Sequence, residues 1–396
     1  GQRIPKGFVS GAFLVAPADV DSASSWPETN GHMLDSVGTG FAPLPRPVPQ
    51  NIKTPEESVA APALLLHGRP LENIEARFWE AAEAVVGEAI EAAGLSQSDV
   101  REAALILGTS SLDIAVSEAI YERELAEGRD AYPLTANSTM GRLALRLRQA
   151  HGIRGPEYTI CTACTASANA LIYANMLVAT GRVRHAIVVG VEIFNIITAL
   201  GFQSLELLSP HGMKPFDAKR AGLTLGESCA ALVVGPSARD GAFHLRGSAN
   251  LCDIFGISAA NPDGSTVADV IRMALADAGL APEQIDGIKA HGTASLLNDE
   301  AEAAGMRLVY PELPPICALK PFIGHTFGAC GVTELILFCG MAERGYFPAT
   351  PGVCAEPSDL DIRLPQTPQA LAPGVFQLNF FGFGGNNTSL VIANAG

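Results

Sequence analysis

A layered α/β fold built from two related halves is the architecture this sequence predicts, and three observations predict it. Helical and strand-like segments alternate from Ala76 onward: the amphipathic run Ala84–Ala93 ends at Gly94, and the apolar, strand-like run Ala103–Leu107 leads to Gly108-Thr109. The same order returns later. Met273–Ala278 ends at Gly279-Leu280, and Ile285–Ala290 leads to His291-Gly292-Thr293. A second echo follows in register, because Gly226-Glu-Ser-Cys-Ala-Ala-Leu232-Val-Val234 is similar to Gly384-Gly-Asn-Asn-Thr-Ser-Leu390-Val-Ile392. One duplication on this scale is not a solenoid, whose repeats are far shorter. The turn-rich stretch Gly235–Gly241 separates the copies, so the expected units are residues 1–238, with insertions, and 239–396.

Taken in order, Arg3 and Lys6 stand before the apolar Phe8–Ala18, which ends in Ala16-Pro17-Ala18 and so has the look of a cleavable secretory leader. The run is short and broken by Ser10 and Gly11, which favours a buried first strand in a cytoplasmic protein. Segment 20–75 is rich in Pro and Ser with weak periodicity and reads as long surface loops. Tyr158–Gly181 carries no charge, but its Thr, Ser and Asn residues fit a buried strand and helix rather than a membrane span. The strand-like His185–Val191 and the uncharged Ile193–Leu205 are the expected apolar interface to a second subunit.

Composition narrows the functional classes. Of 396 residues, 48% are hydrophobic and 17% charged, and that charge poverty excludes a disordered, coiled-coil or strongly basic chain. Twenty-six basic against 41 acidic residues leave a net charge of −15, which argues against nucleic acid or anionic lipid as the main partner. Eight cysteines in so long a chain do not form a disulfide framework, and seven of them read as small apolar residues.

The eighth is Cys164. It lies between the strand-like Tyr158–Cys161 and the helical run Ala166–Ala179, where a helix N-terminus and its unpaired N–H groups would favour the thiolate. On position alone it is either a nucleophile or an inert buried thiol. Cys161-Thr-Ala-Cys164 also fits a redox pair or half a zinc site, yet no second C-x-x-C or H-x-x-x-H completes a zinc site, and the intervening residues lack the Pro or Gly common in redox motifs. His291 closes a strand at the edge where α/β sheets place ligands, and His325 sits in the Gly-rich loop of Lys320-Pro-Phe-Ile-Gly-His325-Thr-Phe-Gly. His32, His67, His151, His185, His211 and His244 read as ordinary core or surface residues. Asn379-Phe-Phe-Gly382-Phe383-Gly384-Gly385-Asn386 is either a glycine-rich hairpin or a place where backbone approaches a ligand.

Together these elements carry a resemblance. Thr162-Ala-Cys164-Thr-Ala-Ser, His291-Gly-Thr, Lys320 ahead of Gly324-His325-Thr326, and Phe381-Gly-Phe-Gly-Gly385 resemble the motifs of elongating β-ketoacyl-acyl-carrier-protein synthases. Lys214-Pro-Phe-Asp217-Ala-Lys-Arg220-Ala-Gly222 with Gly226-Glu227 is similar to another signature of that family. The resemblance spans about residues 76–396 and implies the thiolase-like fold, two βαβαβ-type halves in five α-β-α-β-α layers. It further implies that Cys164 is acylated by a carrier-bound thioester and that His291 and His325 assist decarboxylation of malonyl-carrier protein. Lys320 and Glu334 would support the histidines, and the backbone N–H groups of Cys164 and Phe383 would form an oxyanion hole. Thr293, Ser295, Phe381, Phe383 and Asn386 would contact substrate, Phe383 as the gate of the acyl pocket, and Cys161 would be a packing residue.

The implied chemistry needs no metal or redox cofactor, since substrates ride on the 4'-phosphopantetheine of an acyl-carrier protein. The implied assembly is a homodimer, or a heterodimer with a subunit like a chain-length factor; an acidic carrier would need a local basic patch on this acidic chain. Ser295, Asn386 and Lys214 depart from the family pattern, and Val9-Ser-Gly11 keeps only part of its usual opening, which points toward a specialised polyketide or aryl-polyene pathway as well as fatty-acid synthesis. Two other classes stand beside this one. They are a thiolase-like acyltransferase acting on CoA, and a non-catalytic partner that shapes another chain's pocket.

Overall fold

The structure is a computed structural model, and it describes residues 8–15, 48–53, 58–64, 74–128, 142–209, 211–236, 242–350 and 359–394. The first half of the main sheet comprises β1 (Phe8–Val15), β4 (Ala104–Gly108), β5 (Glu157–Ile160), β6 (Ala186–Glu192) and β8 (Ser228–Gly235). The second half comprises β9 (His244–Cys252), β10 (Gly287–Lys289), β11 (Ile316–Cys317), β14 (Val375–Phe381) and β15 (Asn386–Ala393). Their order across the sheet is β11-β10-β14-β15-β9-β1-β8-β6-β4-β5. Outward from the centre the two halves match strand for strand. β8 and β15 lie antiparallel to the central β1 and β9, β6 and β14 antiparallel to those, and the outer pairs β4, β5 and β10, β11 run parallel. The two sequence echoes therefore fall on equivalent strands, β4 with β10 and β8 with β15.

Side-chain alternation builds the layers. In β6, Ala186 and Val188 face one apolar cluster while Ile187, Val189 and Val191 face another, as a strand covered on both faces requires. The outer cluster of the first half includes α1 (Ile74–Ala92) and α4 (Arg142–His151), and that of the second half includes α7 (Ser265–Ala278) and α8 (Leu296–Val309). Between the sheets lie α5 (Ala166–Ala179) and α10 (Cys330–Glu343), whose apolar residues pack against strands of both halves. The result is the expected five-layer order. The two central helices cross closely: a Cβ on Gly331 would stand 2.2 Å from the backbone nitrogen of Ala168.

Several expectations are corrected. Part of segment 20–75 forms a hairpin of β2 (Val48–Lys53) and β3 (Ser58–Leu64), whose β3 pairs with β7 (Leu225–Gly226). That distant pairing holds a stretch whose own pattern is weak. β6 is no subunit interface, because it lies between β4 and β8 and is buried within its own chain. The segment after it forms α6 (Ile196–Ser204), and there Ile197 and Leu205 are exposed. The presumed boundary at 238/239, together with His32 and His67, lies outside the described residues. No helix among the described residues is long and apolar enough to cross a membrane.

Candidate active site

The duplication explains how the reactive side chains meet. α5 and α10 hold equivalent places in the two halves, and the loop entering each carries one of them: Cys164 before α5, His325 before α10. Cys164 is held by strained backbone, since Ala163 adopts a positive φ of 51°. The His325 loop is gripped by main chain, with His325 N donating to Thr224 O at 2.7 Å and Gly226 N donating to His325 O at 2.9 Å. Gly226 must lack a side chain here, because a Cβ would meet Ile323 O at 2.2 Å. Behind these loops the buried carboxylate of Glu192 accepts backbone N–H bonds from Ser110, Ser111 and Gly328, tying the first half to the loop that follows His325.

Cys164 Sγ lies 3.1 Å from His325 Nε2. Burial pushes the Cys164 thiol up to about 12, although Lys320 and the N–H groups of Phe383 and Cys164 pull the other way. Helix position alone favours a thiolate, but burial acts against it and favours a neutral thiol beside the imidazole. Both histidines are buried, and desolvation, reinforced by Lys320 and Lys289, holds their pKa values well below the usual histidine range. They are neutral rings at neutral pH. Their centroids stand 5.5 Å apart.

Beneath His291 lies a charged network. Lys320 donates to Glu334 Oε1 at 2.7 Å and to His291 O at 2.7 Å, and its Nζ stands 3.2 Å from His291 Nδ1. An ammonium only donates, so Nδ1 is the acceptor and the His291 proton sits on Nε2, facing away from the lysine. Burial opposes the Lys320 charge, but Glu334, by charge and hydrogen bond, and Glu302 act the other way, and its pKa is raised. Glu302, within the field of both lysines, accepts from the backbone N–H groups of His291 and Gly292 at 2.7 and 2.9 Å.

The two histidines and Cys164 open onto one cavity of about 290 Å³, lined also by Thr293, Ser295, Phe381 and Phe383. Thr293 and Ser295 hydroxyls are 3.0 Å apart. The Phe383 N–H and the Cys164 N–H both face the sulfur. Phe383 stacks on Phe202 with centroids 5.3 Å apart, and Phe202 in turn meets Phe327, which stacks on His325. Gly382 allows this approach, since a Cβ there would stand 3.1 Å from Cys164 N. Asn386, expected at the substrate, is not in the lining. Strand alternation instead turns its neighbour Asn387 toward the cavity, and Asn386 accepts a bond from Gly382 N through its carbonyl. Cys161, expected to pack internally, is exposed, its Sγ 3.7 Å from Ser110 O.

Sequence reasoning passed over Lys289, Glu192, Glu302 and Phe202. Only Lys289 left a signal, a charge at the inner end of the strand-like run Ile285–Ala290, two residues before His291. Among the described residues no group of three or more His, Cys, Asp or Glu side chains is arranged to hold a metal ion.

This fold and site belong to a class of proteins already solved. Over 99% of this chain the structure matches an ishigamide ketosynthase/chain length factor, with a TM-score of 0.81 and 28% identity across the whole of that chain. It also matches the ketosynthase ApeO in complex with its chain length factor ApeC from Xenorhabdus doucetiae, with a TM-score of 0.75, 27% identity and 98% coverage of both chains. The models of the N-terminal and C-terminal domains of β-ketoacyl synthases match residues 76–239 and 243–353. The chloroplastic 3-oxoacyl-[acyl-carrier-protein] synthase I of Hordeum vulgare is 30% identical over 338 residues, 77% of this chain and 72% of its own length. The chain belongs to the β-ketoacyl synthase family. Its match to the synthase 2 of Synechocystis is 30% identical and spans 65% of each chain, and its match to a putative mitochondrial synthase of Schizosaccharomyces pombe covers 63% of that relative.

Proposed function

We propose that this chain is a β-ketoacyl-acyl-carrier-protein synthase that performs a decarboxylative Claisen condensation. The observation that carries the reading is the Cys164 thiol 3.1 Å from a neutral His325, in one cavity with a neutral His291 held by Lys320. His325 takes the thiol proton through Nε2 as sulfur attacks the acyl thioester carbonyl, then passes it to the departing carrier thiolate. The N–H groups of Cys164 and Phe383 receive the oxyanion, and an acyl-Cys164 remains.

Malonyl-carrier protein then enters, and its thioester carbonyl oxygen accepts a bond from His291 Nε2–H, joined by His325 when its proton rests on Nε2. The bond to the carboxylate breaks, CO2 leaves, and the electron pair becomes an enolate whose charge those donors hold. The enolate carbon attacks acyl-Cys164 and expels the thiolate. A proton restores the thiol, and the β-ketoacyl chain departs on the carrier. Thr293 and Ser295 stand where the pantetheine arm passes, and Phe383 gates the pocket that takes the acyl chain.

The partners we assign are an acyl-carrier protein bearing 4'-phosphopantetheine and a second subunit, either another copy or a chain-length-factor-like chain, in fatty-acid or polyketide elongation in the cytoplasm. The folding units we assign are the two thiolase-like halves, 1–238 and 239–396. The CoA-dependent alternative requires a second thiol or an amide in place of one histidine, whereas here two rings flank the one cysteine of the cavity lining. A non-catalytic partner has no use for the Cys164–His325 pair. Intact-mass analysis after incubation with acyl-carrier thioesters tests the proposal: an acyl adduct on Cys164, absent in Cys164→Ala, is the expected result. Condensation by Cys164→Ala would sink it.

A further inference from the structure

Lys289 takes no part in the steps above, yet it is fully enclosed at the centre of the site. Its Nζ donates to Glu334 Oε2 at 2.6 Å and to the carbonyl of Asn379 at 2.8 Å, and lies 3.6 Å from the centroid of the Phe380 ring. Two oxygens and a π-face match the three N–H bonds of an ammonium. A buried ion is costly to hold, and an aliphatic side chain would suit an apolar strand better, so the partners of the charge point to its use.

Glu334 has two oxygens and divides them between two lysines, Oε1 to Lys320 and Oε2 to Lys289. Lys320 continues the chain to His291, where its 3.2 Å contact with Nδ1 is the longest of its three. We propose that Lys289 is a positioning residue for the malonyl half-reaction: by occupying Oε2 of Glu334 it keeps that carboxylate from drawing Lys320 into a two-point ion pair, and so leaves Lys320 to hold His291 with its proton on Nε2.

Without Lys289, Oε2 is a buried acceptor with no donor, and the remaining mobile donor in reach is Lys320. Lys320 would swing toward Glu334 and give up its weakest contact, the one that orders the imidazole. No other charged group nearby offers a replacement. Glu302 and Asp299 are acceptors already spent on backbone N–H groups, and the Cys317 and Cys330 thiols are held neutral by burial. His325 hydrogen-bonds Cys164, so the acylation step meets these lysines through charge alone and not through this chain of hydrogen bonds.

The inference rests on the condensing reading, and the test separates the two. In the full chain with Lys289→Met, acylation of Cys164 and release of CO2 from malonyl-carrier protein by the acylated enzyme are timed separately. Decarboxylation should fall about 10–100-fold, the usual cost of losing an outer partner that orients a reacting group, while acylation changes less than about threefold. Decarboxylation unchanged, or both steps falling in parallel, would overturn the role of Lys289. If Lys289→Met does not fold, Lys289→Leu, which also leaves Oε2 without a donor, is read the same way. The ring 15N signals of His291 supply a readout that needs no turnover. The parent protein should show a single Nε2–H tautomer and the variant a mixture, and identical spectra would overturn the inference. A parent protein inert toward malonyl-carrier protein would instead refute the condensing reading, with the tautomer still deciding Lys289.

Discussion

Replacing His325 with Asn tests how a thiol this deeply buried can react. With the Cys164 pKa at about 12, the thiolate fraction at pH 7 is about 1 in 10⁵, some thousandfold below that of an unperturbed thiol at 9.0. Reaction at neutral pH must therefore run through proton transfer to the imidazole 3.1 Å away. A positioned general base contributes about 10²–10⁴-fold, so alkylation of Cys164 by iodoacetamide should slow by that factor in His325→Asn at pH 7. The pH profile carries a second signature. Because burial holds the His325 pKa well below the usual histidine range, the parent protein should be fully competent from pH 6.5 upward and lose rate only below it. The variant, dependent on free thiolate, should gain about tenfold per pH unit between pH 7 and 10. Cys161 and Cys252 are exposed and will also react, so the adduct is counted by mass on the Cys164 peptide. A variant within about threefold of the parent at pH 7 would refute the reasoning, as would a parent profile that titrates near the ordinary thiol pKa of about 8.5.

Other expectations follow from single contacts. Gly331→Ala drives a methyl to 2.2 Å from the backbone of α5 and should cost about 1–3 kcal/mol or more in chemical denaturation; an unchanged midpoint would show that the helices part easily. Glu192→Ala strands three backbone donors, each worth about 1.5–3 kcal/mol when bonded to a charge, so a loss under about 1 kcal/mol would contradict the clasp described here. Phe202→Ala removes the face on which Phe383 stacks and should alter acylation rates by up to about tenfold with a shift toward bulkier chains; an unchanged acyl preference would count against Phe383 as gate.

Much of the architecture was legible before any coordinates, because it is written in local patterns. The helix closing at Gly279 is capped there by a left-handed residue with φ of 69°, and the strand before Cys164 and the helix after it fall where their periodicity places them. The duplication, read from short echoes, reappears as two matching half-sheets. Cys164, His291, His325 and Lys320 are legible as candidates, since each stands in a short motif, while Glu334 enters through the resemblance; the fold brings all five together.

What stayed hidden depends on neighbours distant in the chain. A helix N-terminus pointed to a thiolate, but the largest influence on Cys164 is how much water packing removes, and that raises its pKa. Strand β6 has the apolar pattern of an interface, yet sheet order makes it an interior strand. The strand pair 48–53 and 58–64 is joined to the rest of the chain by its pairing with Leu225–Gly226. Lys289 is only a charge in a short strand until Glu334, 45 residues away, gives it a carboxylate to hold. The sequence alone thus determined the elements, their duplication and the candidate reacting groups. Tertiary structure alone decided their protonation, their partners and which surface is interior, because desolvation and Coulomb interaction depend on distance in space and not on separation along the chain.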